Sequence, residues 1–578
     1  MLDSAVPTGA KASMEPAMLE LGYVVSKRTA CADREAQEEH ETRVLGQALS
    51  FPDSGSSRND PLSNATSSRS IFCSDKTVEC EVGFDGEVLE VSLMPREPVV
   101  LKSCKVVLRH AFVSDELVLL NGFQSWTDTA ERPAWSRMRG MWGIPKPLAK
   151  RRVFDGDGDY ALVGNAVRRG IQHGFTYATF RRGEGMVLVA SLDESQGFTL
   201  IKTDAAKGEV TLETECPLRE VPAGERVVLG RYAITRGTTR RCYDRWFELS
   251  QVRARNVKML VGYASWYRHF EEIDAEKLAT DLKGARSFFD NWVTPYSMGV
   301  QKLFQIDDGY CEVGDWLDVD PVKFPQGLKQ LADAARAAGF MPGIWFAPFI
   351  CGKESRLFRE RFEWLLRDSS GELIGIECHL GEAYVLDTRN VEVRSYILEV
   401  VQTMTREWGF RLLKVDFLYG ACLYAHSGLN RGQLMADAVD LLRKGVGEDV
   451  LILGCGVPLG SAFGKLDYCR IGPDAGLAAE GISRAKLLHR GQMPMKISLG
   501  NTYARAPLDG RAFGIDPDVF FLSDDVKLED SRRDELLFAN ADLGRVLLTS
   551  DDMGSWGKAA RDCFLQALKV VAERGAGR

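Results

Sequence analysis

The chain has 578 residues, which is enough for two or more domains that each bury their own core. Its net charge of −8 argues against nucleic acid or an acidic membrane surface as a partner. Transmembrane proteins are excluded as well, because no apolar run reaches the roughly 18 residues that a membrane helix needs.

The N-terminus and the cysteines indicate the compartment. The first residues include Asp3, Glu15 and Glu20 and contain no apolar segment of the kind found in signal peptides. Thirteen cysteines are scattered along the chain without a CxxC pair, so we expect reduced thiols in a cytoplasmic protein. With only seven histidines, the sequence predicts no metal site, and nothing in it indicates another cofactor.

Residues 1–70 are rich in serine, acidic residues, alanine and glycine, and the stretch 50–70 is almost entirely polar. Such a segment buries too little apolar surface to offset the entropy lost on ordering. We therefore predict that residues 1–70 form a disordered polar arm.

Residues 71–250 contain short runs in which apolar and polar side chains alternate between turn signals. In 209–214, for example, Val210 and Leu212 point to one side while Glu209 and Glu213 point to the other. Similar β-rich runs recur at 186–192 and 227–234 after glycine-containing turns. This pattern predicts an antiparallel β-sandwich domain.

Residues 251–578 instead alternate short buried-strand runs with amphipathic helices. This alternation implies parallel strands with right-handed crossovers, and eight of them favour a closed (β/α)8 TIM barrel over an open sheet. The predicted fold class is thus α/β, a barrel catalytic domain that follows the β-sandwich. The eight candidate strands are Met259–Ala264, Leu303–Ile306, Gly343–Phe346, Leu412–Val415, Val450–Leu453, Tyr468–Ile471, Lys496–Leu499 and Val519–Leu522.

The active site of such a barrel lies at the C-terminal ends of its strands, where this chain places mainly carboxylates. Carboxylates accept hydrogen bonds from sugar hydroxyls and tryptophan rings pack on sugar C–H faces, so this mouth suits a neutral carbohydrate. Glycoside hydrolysis requires two carboxyl groups, but spacing alone leaves the pair open. The polar and aromatic residues at the predicted strand ends are Asp307, Asp308, Trp345, Lys414, Asp416, Cys455, Arg470, Asp474, Asp516 and Asp518.

Several linked motifs, in order, resemble the α-galactosidases of glycoside hydrolase family 36, a melibiase-like family of clan D. The resemblance covers roughly residues 70–570. It implies a retaining exo-α-galactosidase that removes terminal α-linked galactose from oligosaccharides or glycoconjugates. The motifs are NGFQSW (121–126), GYASWYRHF (262–270), FQIDDGYCEVGDWLDVDPVKFP (304–325), FMPGIWFAPF (340–349), LLKVDFLYG (412–420) and LILGCGVPLGSAFGKLDYCRIGPD (451–474).

The resemblance also implies roles for individual residues. Asp416 matches the family nucleophile and Asp474 matches the acid/base, and in a retaining enzyme their carboxyl groups lie about 5–5.5 Å apart. Lys414 lies two residues before Asp416, so both side chains should project to one face of the strand. The residues matched to substrate binding or site organisation are Asp307, Asp308, Trp345, Lys414, Cys455, Arg470, Trp266, Asp518 and Trp126, the last contributed by the β-domain.

Alternative functions are an α-N-acetylgalactosaminidase, a galactosyl transferase or transglycosylase on the same scaffold, and a non-catalytic sugar-binding protein. A binding protein would be expected to have lost Asp416 or Asp474. The exact sugar stays open because Tyr263 and Ala264 replace the family's tryptophan and cysteine. The region 350–384, with His379, also lacks the tryptophan that many relatives carry before the LD motif. The expected partner is a small carbohydrate, and the sequence is compatible with a homo-oligomer.

Overall fold

The computed structural model of the chain describes residues 14–28, 38–49, 69–137, 168–255, 257–293, 299–378, 381–475, 495–523 and 530–576. His379, named above in the region 350–384, lies outside these residues. Within these ranges, no helix has both the length and the apolar character that crossing a bilayer requires.

The N-terminal half consists of two antiparallel sheets, as predicted. One sheet has the order β2-β1-β6-β13-β12-β9, with β14 also on β6, and the other has the order β3-β4-β5-β15-β11-β10-β7-β8. Alternate side chains of both sheets form a shared core that includes Tyr23, Val91 and Val106. The strands are β1 Glu15–Arg28, β2 Glu38–Ala48, β3 Arg69–Ser74, β4 Val78–Phe84, β5 Val88–Pro95, β6 Val99–Arg109, β7 Leu117–Leu120, β8 Glu131–Pro133, β9 Ile171–Phe175, β10 Tyr177–Arg182, β11 Gly185–Ser191, β12 Thr199–Asp204, β13 Glu209–Thr214, β14 Glu220–Val221 and β15 Val227–Gly237.

The prediction of a disordered arm over residues 1–70 is wrong for the two strands β1 and β2. Strand β1 pairs with β6 along most of its length, and its residues Leu19, Leu21 and Tyr23 are fully buried. These side chains alternate with period two, which is a strand signal that the average composition of residues 1–70 conceals. The most polar part of the predicted arm, residues 50–68, lies outside the described ranges.

The C-terminal half contains eight parallel strands in a nearly closed barrel, which confirms the predicted fold. Their order is β25-β24-β23-β22-β18-β17-β16-β26, and an isolated parallel bridge between Phe520 and Thr549 lies at the remaining seam. Strands β19, β21 and β20 form a small separate sheet. The strands are β16 Met259–Ala264, β17 Val300–Ile306, β18 Met341–Phe346, β19 Ile350–Gly352, β20 Gly375–Cys378, β21 Gly381–Val385, β22 Leu412–Val415, β23 Leu451–Gly454, β24 Tyr468–Arg470, β25 Gly514–Asp516 and β26 Val546–Thr549.

Helices lie between the barrel strands with their apolar faces buried. The helix Arg431–Val446 starts with a capping box, in which Asn430 and Gln433 each accept the other's backbone N–H. Its buried residues include Leu434 and Ala438, as their spacing predicts. The α-helices are Thr239–Ser250, Trp266–His269, Ala275–Phe288, Lys329–Ala337, Arg356–Glu360, Val391–Gln402, Arg431–Val446, Leu459–Ala462, Met495–Arg505, Asp530–Leu543 and Lys558–Ala576.

Two of the eight predicted barrel strands are wrong. The run Lys496–Leu499 belongs to the helix Met495–Arg505, and Val519–Leu522 contributes only an isolated bridge. The seventh and eighth strands are instead β25 and β26. Apolar runs of four residues do not distinguish a strand from a buried helix segment, which explains the error. In consequence, Asp516 and Asp518 lie at the end of the seventh strand rather than beside the eighth.

Candidate active site

A small cavity opens at the C-terminal ends of the barrel strands. Five of the residues predicted to bind substrate line it, and they come from segments following or ending five different strands. This is the convergence at the barrel mouth that the fold predicts. The lining residues are Ala264, Trp266, Tyr267, Gln305, Asp307, Lys414, Arg470, Asp516, Asp518, Val519 and Leu548.

A buried ion pair crosses this cavity. Lys414 donates through Nζ to Oδ2 of Asp307 at 2.8 Å, and Gln305 donates to the same oxygen at 2.9 Å. Burial alone would lower the pKa of Lys414, but the carboxylates of Asp307 and Asp416 outweigh it and raise that pKa. Lys414 is therefore a fixed positive charge between the second and fourth strands.

Asp416 directly follows β22, and each of its carboxylate oxygens accepts a hydrogen bond. The indole Nε1 of Trp345 donates to Oδ2 at 3.0 Å, and the backbone N–H of Phe417 donates to Oδ1 at 2.7 Å. Asp416 is 7% exposed and Trp345 is 2% exposed. Trp345 is thus a buried support for this carboxylate rather than an open platform for a sugar ring.

The backbone is strained at three points around the mouth. Phe270, Phe417 and Asp518 have φ angles of 49°, 51° and 83°, in the left-handed region that side chains with a Cβ disfavour. Each such residue costs on the order of 1–3 kcal/mol and persists only where the surrounding structure enforces it. At Phe417 this conformation accompanies the hydrogen bond from its own backbone N–H to Asp416, so the strained backbone orients the Asp416 carboxylate.

On the opposite side, Arg470 joins two carboxylates. Its guanidinium donates to Oδ1 of Asp474 at 2.9 Å and also pairs with Asp518. Asp518 further accepts hydrogen bonds from the hydroxyl of Tyr267 and from the N–H of Ala475, both at 2.6 Å. The side chains of Arg470 and Asp518 are almost fully buried, whereas that of Asp474 is 32% exposed. Asp474 is therefore the most solvent-exposed member of this network, while Arg470 and Asp518 line the cavity.

Cys455 and Trp126 connect the two sides. Trp126, from the β-sandwich, donates through Nε1 to the thiol of Cys455 at 3.1 Å. Burial raises the pKa of Cys455, as do Asp416 and Asp474, while Arg470 and Lys414 oppose the shift. The thiol thus lies within electrostatic range of both predicted catalytic carboxylates. It stays protonated, and its role in lining the site remains a prediction.

The structure separates Asp307 from Asp308. Asp308 lines a neighbouring cavity of about 510 Å³ together with Glu271, Glu312 and other residues. Burial, and then the charge of Asp307, raises the pKa of Asp308 to about 8. The sequence predicted that both aspartates bind the same sugar, but only Asp307 lines the cavity that holds Lys414 and Arg470.

The raised pKa of Asp308 predicts a pH-dependent stability. The folded state retains a proton that the unfolded chain releases at its ordinary pKa of about 4, so stability falls as the pH rises from about 4 to about 8. We expect Asp308→Asn to flatten this fall, as measured by urea unfolding midpoints at pH 5 and pH 8. Asp318→Asn, at an exposed carboxylate of the same cavity, is the control. An unchanged pH slope in Asp308→Asn would contradict the prediction.

Three residues of the site were missed from the sequence. Tyr267 lies beside the predicted Trp266 in the same motif, and Gln305 lies two positions before Asp307 on the same strand face. Tyr267 and Gln305 could therefore have been predicted from the sequence. Ser265 accepts the backbone N–H of Asp307 through its Oγ at 2.9 Å, and no sequence pattern indicated this contact.

Comparison with known proteins confirms the resemblance found in the sequence. Residues 296–422 match the Melibiase family model. The chain is 26% identical over 214 residues to the α-galactosidase Mel36A of Lactobacillus acidophilus, a stretch that covers 33% of this chain and 26% of Mel36A. It is 29% identical over 129 residues to α-galactosidase 2 of Pediococcus pentosaceus, covering 21% of this chain and 17% of that one. The matched stretch is thus about a quarter or less of either relative.

Solved structures share the fold over most of the chain. The α-galactosidase TtGalA of Thermus thermophilus, solved with p-nitrophenyl α-D-galactopyranoside, has a TM-score of 0.67 at 23% identity. The alignment covers 87% of this chain and 94% of TtGalA. The family 36 α-galactosidase AgaA of Geobacillus stearothermophilus has a TM-score of 0.57 at 12% identity, covering 87% of this chain and 69% of AgaA. At these identities the likeness establishes the architecture of the barrel and its preceding β-domain.

Proposed function

Because residues 296–422 match the Melibiase family model, we propose that the chain is a retaining exo-acting α-galactosidase. The observation that carries the proposal is the pair of carboxylates at one barrel mouth. Asp416 is fixed by Trp345 and Phe417, Asp474 is held by Arg470, and both act electrostatically on the thiol of Cys455. Two carboxyl groups that follow different strands and act on one shared side chain support the pair that double displacement requires.

The two carboxylates have different surroundings, which supports different duties. Asp416 is nearly buried, has an N–H donor on each oxygen and lies near the positive charge of Lys414. These contacts orient the carboxylate as a nucleophile that attacks the anomeric carbon. Asp474 is more exposed and has the access to solvent that a proton donor needs.

In the proposed reaction, Asp416 displaces the leaving oxygen while Asp474 protonates it, giving a covalent galactosyl-enzyme. Asp474 then removes a proton from water, which attacks the same carbon and releases the sugar with net retention. Lys414 and Arg470 remain charged throughout, because each is paired with a buried carboxylate. This chemistry uses only side chains of the chain itself.

The lining of the cavity supports recognition of a sugar. Asp307 and Asp518 supply acceptors for sugar hydroxyls, and the rings of Trp266 and Tyr267 line the same space. Galactose is the proposed sugar because TtGalA was solved with a galactoside and with stachyose.

A panel of p-nitrophenyl glycosides, read by proton NMR, tests this function. We expect hydrolysis of the α-galactoside, no hydrolysis of the β-galactoside, and α-galactose as the first anomer formed. β-Galactose as the first product would contradict retention. Faster cleavage of the α-N-acetylgalactosaminide than of the α-galactoside would identify N-acetylgalactosamine as the preferred sugar. Disaccharide products at high substrate concentration would indicate transglycosylation.

A further inference from the structure

A fully buried arginine joins the β-sandwich to the barrel beside the site. Arg505, the last residue of the helix Met495–Arg505, is 0% exposed. Its guanidinium donates to Asn121 Oδ1 at 3.0 Å and to the backbone oxygens of Ser125 at 2.6 Å and Gln124 at 3.2 Å. Arg505 therefore holds the sandwich segment that immediately precedes Trp126.

A second residue of the same helix holds the other end of this segment. Asn501 is also 0% exposed and lies one helical turn before Arg505, so both project from one face of the helix. It accepts the N–H of Thr129 at 2.7 Å and donates to the carbonyl of Thr127 at 3.0 Å. Residues 121–129 thus have a barrel contact on each side of Trp126.

Arg505 also reaches the segment that carries the candidate acid/base. Its Nη1 donates to the carbonyl of Ile471 at 2.9 Å, directly after Arg470 and three residues before Asp474. One guanidinium therefore fixes Trp126 and Asp474 relative to each other. A lysine could not do this, because its single ammonium lacks the planar, five-donor geometry that reaches several acceptors in different directions.

The four contacts of Arg505 all go to neutral oxygens, and burying a cation among neutral groups is unfavourable. Trp126 is the part of the held segment that contacts the site, through Cys455 and through the ring of Phe417 at a centroid distance of 5.2 Å. The guanidinium of Arg505, whose burial is unfavourable, thus lies where it determines the position of the Trp126 indole.

We propose that Arg505 and Asn501 are positioning residues that hold Trp126 against Cys455 and so complete the sugar pocket from the sandwich side. This inference rests on the proposed glycosidase function, since it assigns the two residues an effect on turnover. It predicts that most of their contribution to catalysis passes through Trp126, with a smaller share of that of Arg505 through Ile471 and Asp474.

A double-mutant cycle on kcat/KM for p-nitrophenyl α-galactoside tests this route. We expect Arg505→Lys to lower kcat/KM by roughly tenfold or more in the native background, but by less than about threefold when Trp126 is already phenylalanine. If Arg505→Lys and Trp126→Phe lower kcat/KM by factors that simply multiply in the double variant, the proposal is overturned. If Arg505→Lys does not fold, Asn501→Ala takes its place in the same cycle.

The control is Arg443→Lys. Arg443 is another largely buried arginine, which donates to the carbonyls of Lys465, Gly447 and Val450 and pairs with Asp467, with no contact to residues 121–129. Its kcat/KM should stay within about twofold of native, because Arg443 lies away from the site. The free-energy effects of such distant substitutions are independent of those of changes in the site. An equal loss in Arg443→Lys would mean that any buried arginine has this effect, and would overturn the assignment.

Alkylation of Cys455 by iodoacetamide, followed by peptide mass spectrometry, gives a readout that does not depend on turnover. Cys455 is 1% exposed beneath Trp126, so we expect at least about tenfold faster labelling in Arg505→Lys than in native protein or Arg443→Lys. Equal labelling in all three would overturn the inference. If native protein cleaves no glycoside while Cys455 labelling still responds to Arg505→Lys, the proposed function fails and the positioning role stands.

Discussion

Replacing Asp416 with alanine is expected to lower kcat for p-nitrophenyl α-galactoside by roughly 10⁴- to 10⁶-fold, as removal of a covalent nucleophile does in other enzymes. The variant loses the carboxylate that Trp345 and Phe417 orient. Lys414 then keeps a partner in Asp307, so the cavity should remain folded and charged. Steady-state kinetics, together with a thermal unfolding curve, would separate loss of chemistry from loss of fold.

Azide provides the complementary test of Asp416. Truncation leaves a space on the side from which the nucleophile attacks, and a small anion in that space can displace the leaving group directly. We expect azide to restore turnover of Asp416→Ala and to yield β-galactosyl azide, the inverted product, which NMR identifies. Asp437→Ala is the control, because Asp437 pairs with Arg389 and Arg394 on a helix outside the mouth. Near-native activity of Asp416→Ala without azide would contradict the assignment.

The parts of the fold that the sequence predicted are those with a local periodic signal. Strands β16, β18 and β22 are buried along their whole length, so their sequences are apolar runs, interrupted in β22 only by Lys414. The helix Ala275–Phe288 buries Leu278 and Leu282, whose spacing matches one helical face. The ends of the strands can be predicted from these runs. The positions of Lys414 and Asp416 at the barrel mouth could therefore be predicted as well.

The parts that were missed lack such a signal or depend on distant partners. Strand β25 has only three residues and begins with glycine, so neither length nor alternation marks it. Strand β1 was hidden in a polar segment and becomes a strand by pairing with β6. Arg505 and Asn121 are 384 positions apart, and no local pattern reports a contact of that kind.

The pair Asp307 and Asp308 illustrates a further limit. Both follow β17 and both match one family motif, which suggested a common target. Successive side chains of an extended segment point to opposite sides, however. Asp307 consequently pairs with Lys414 in the smaller cavity, while Asp308 lines the neighbouring one with Glu271. Adjacent residues in a motif can therefore have different surroundings, and only three-dimensional contacts separate them.

Asp474→Ala is expected to have an effect that depends on the leaving group. General acid catalysis contributes typically 10²- to 10⁴-fold, and we expect a loss of this size for melibiose, whose leaving sugar is strongly basic. For p-nitrophenyl α-galactoside the loss in the first step should be small, since nitrophenolate leaves without a proton. Arg470 would keep Asp518 as its partner, so the network beneath the site should survive the change.

The slope of log(kcat/KM) against leaving-group pKa therefore distinguishes the roles of the two carboxylates. It should become steeply negative in Asp474→Ala, because charge then accumulates on the leaving oxygen, and stay shallow in the Asp437→Ala control. A uniform loss across all leaving groups would mean that Asp474 positions Arg470 instead of donating a proton, and the acid/base assignment would then move to another carboxylate of the mouth.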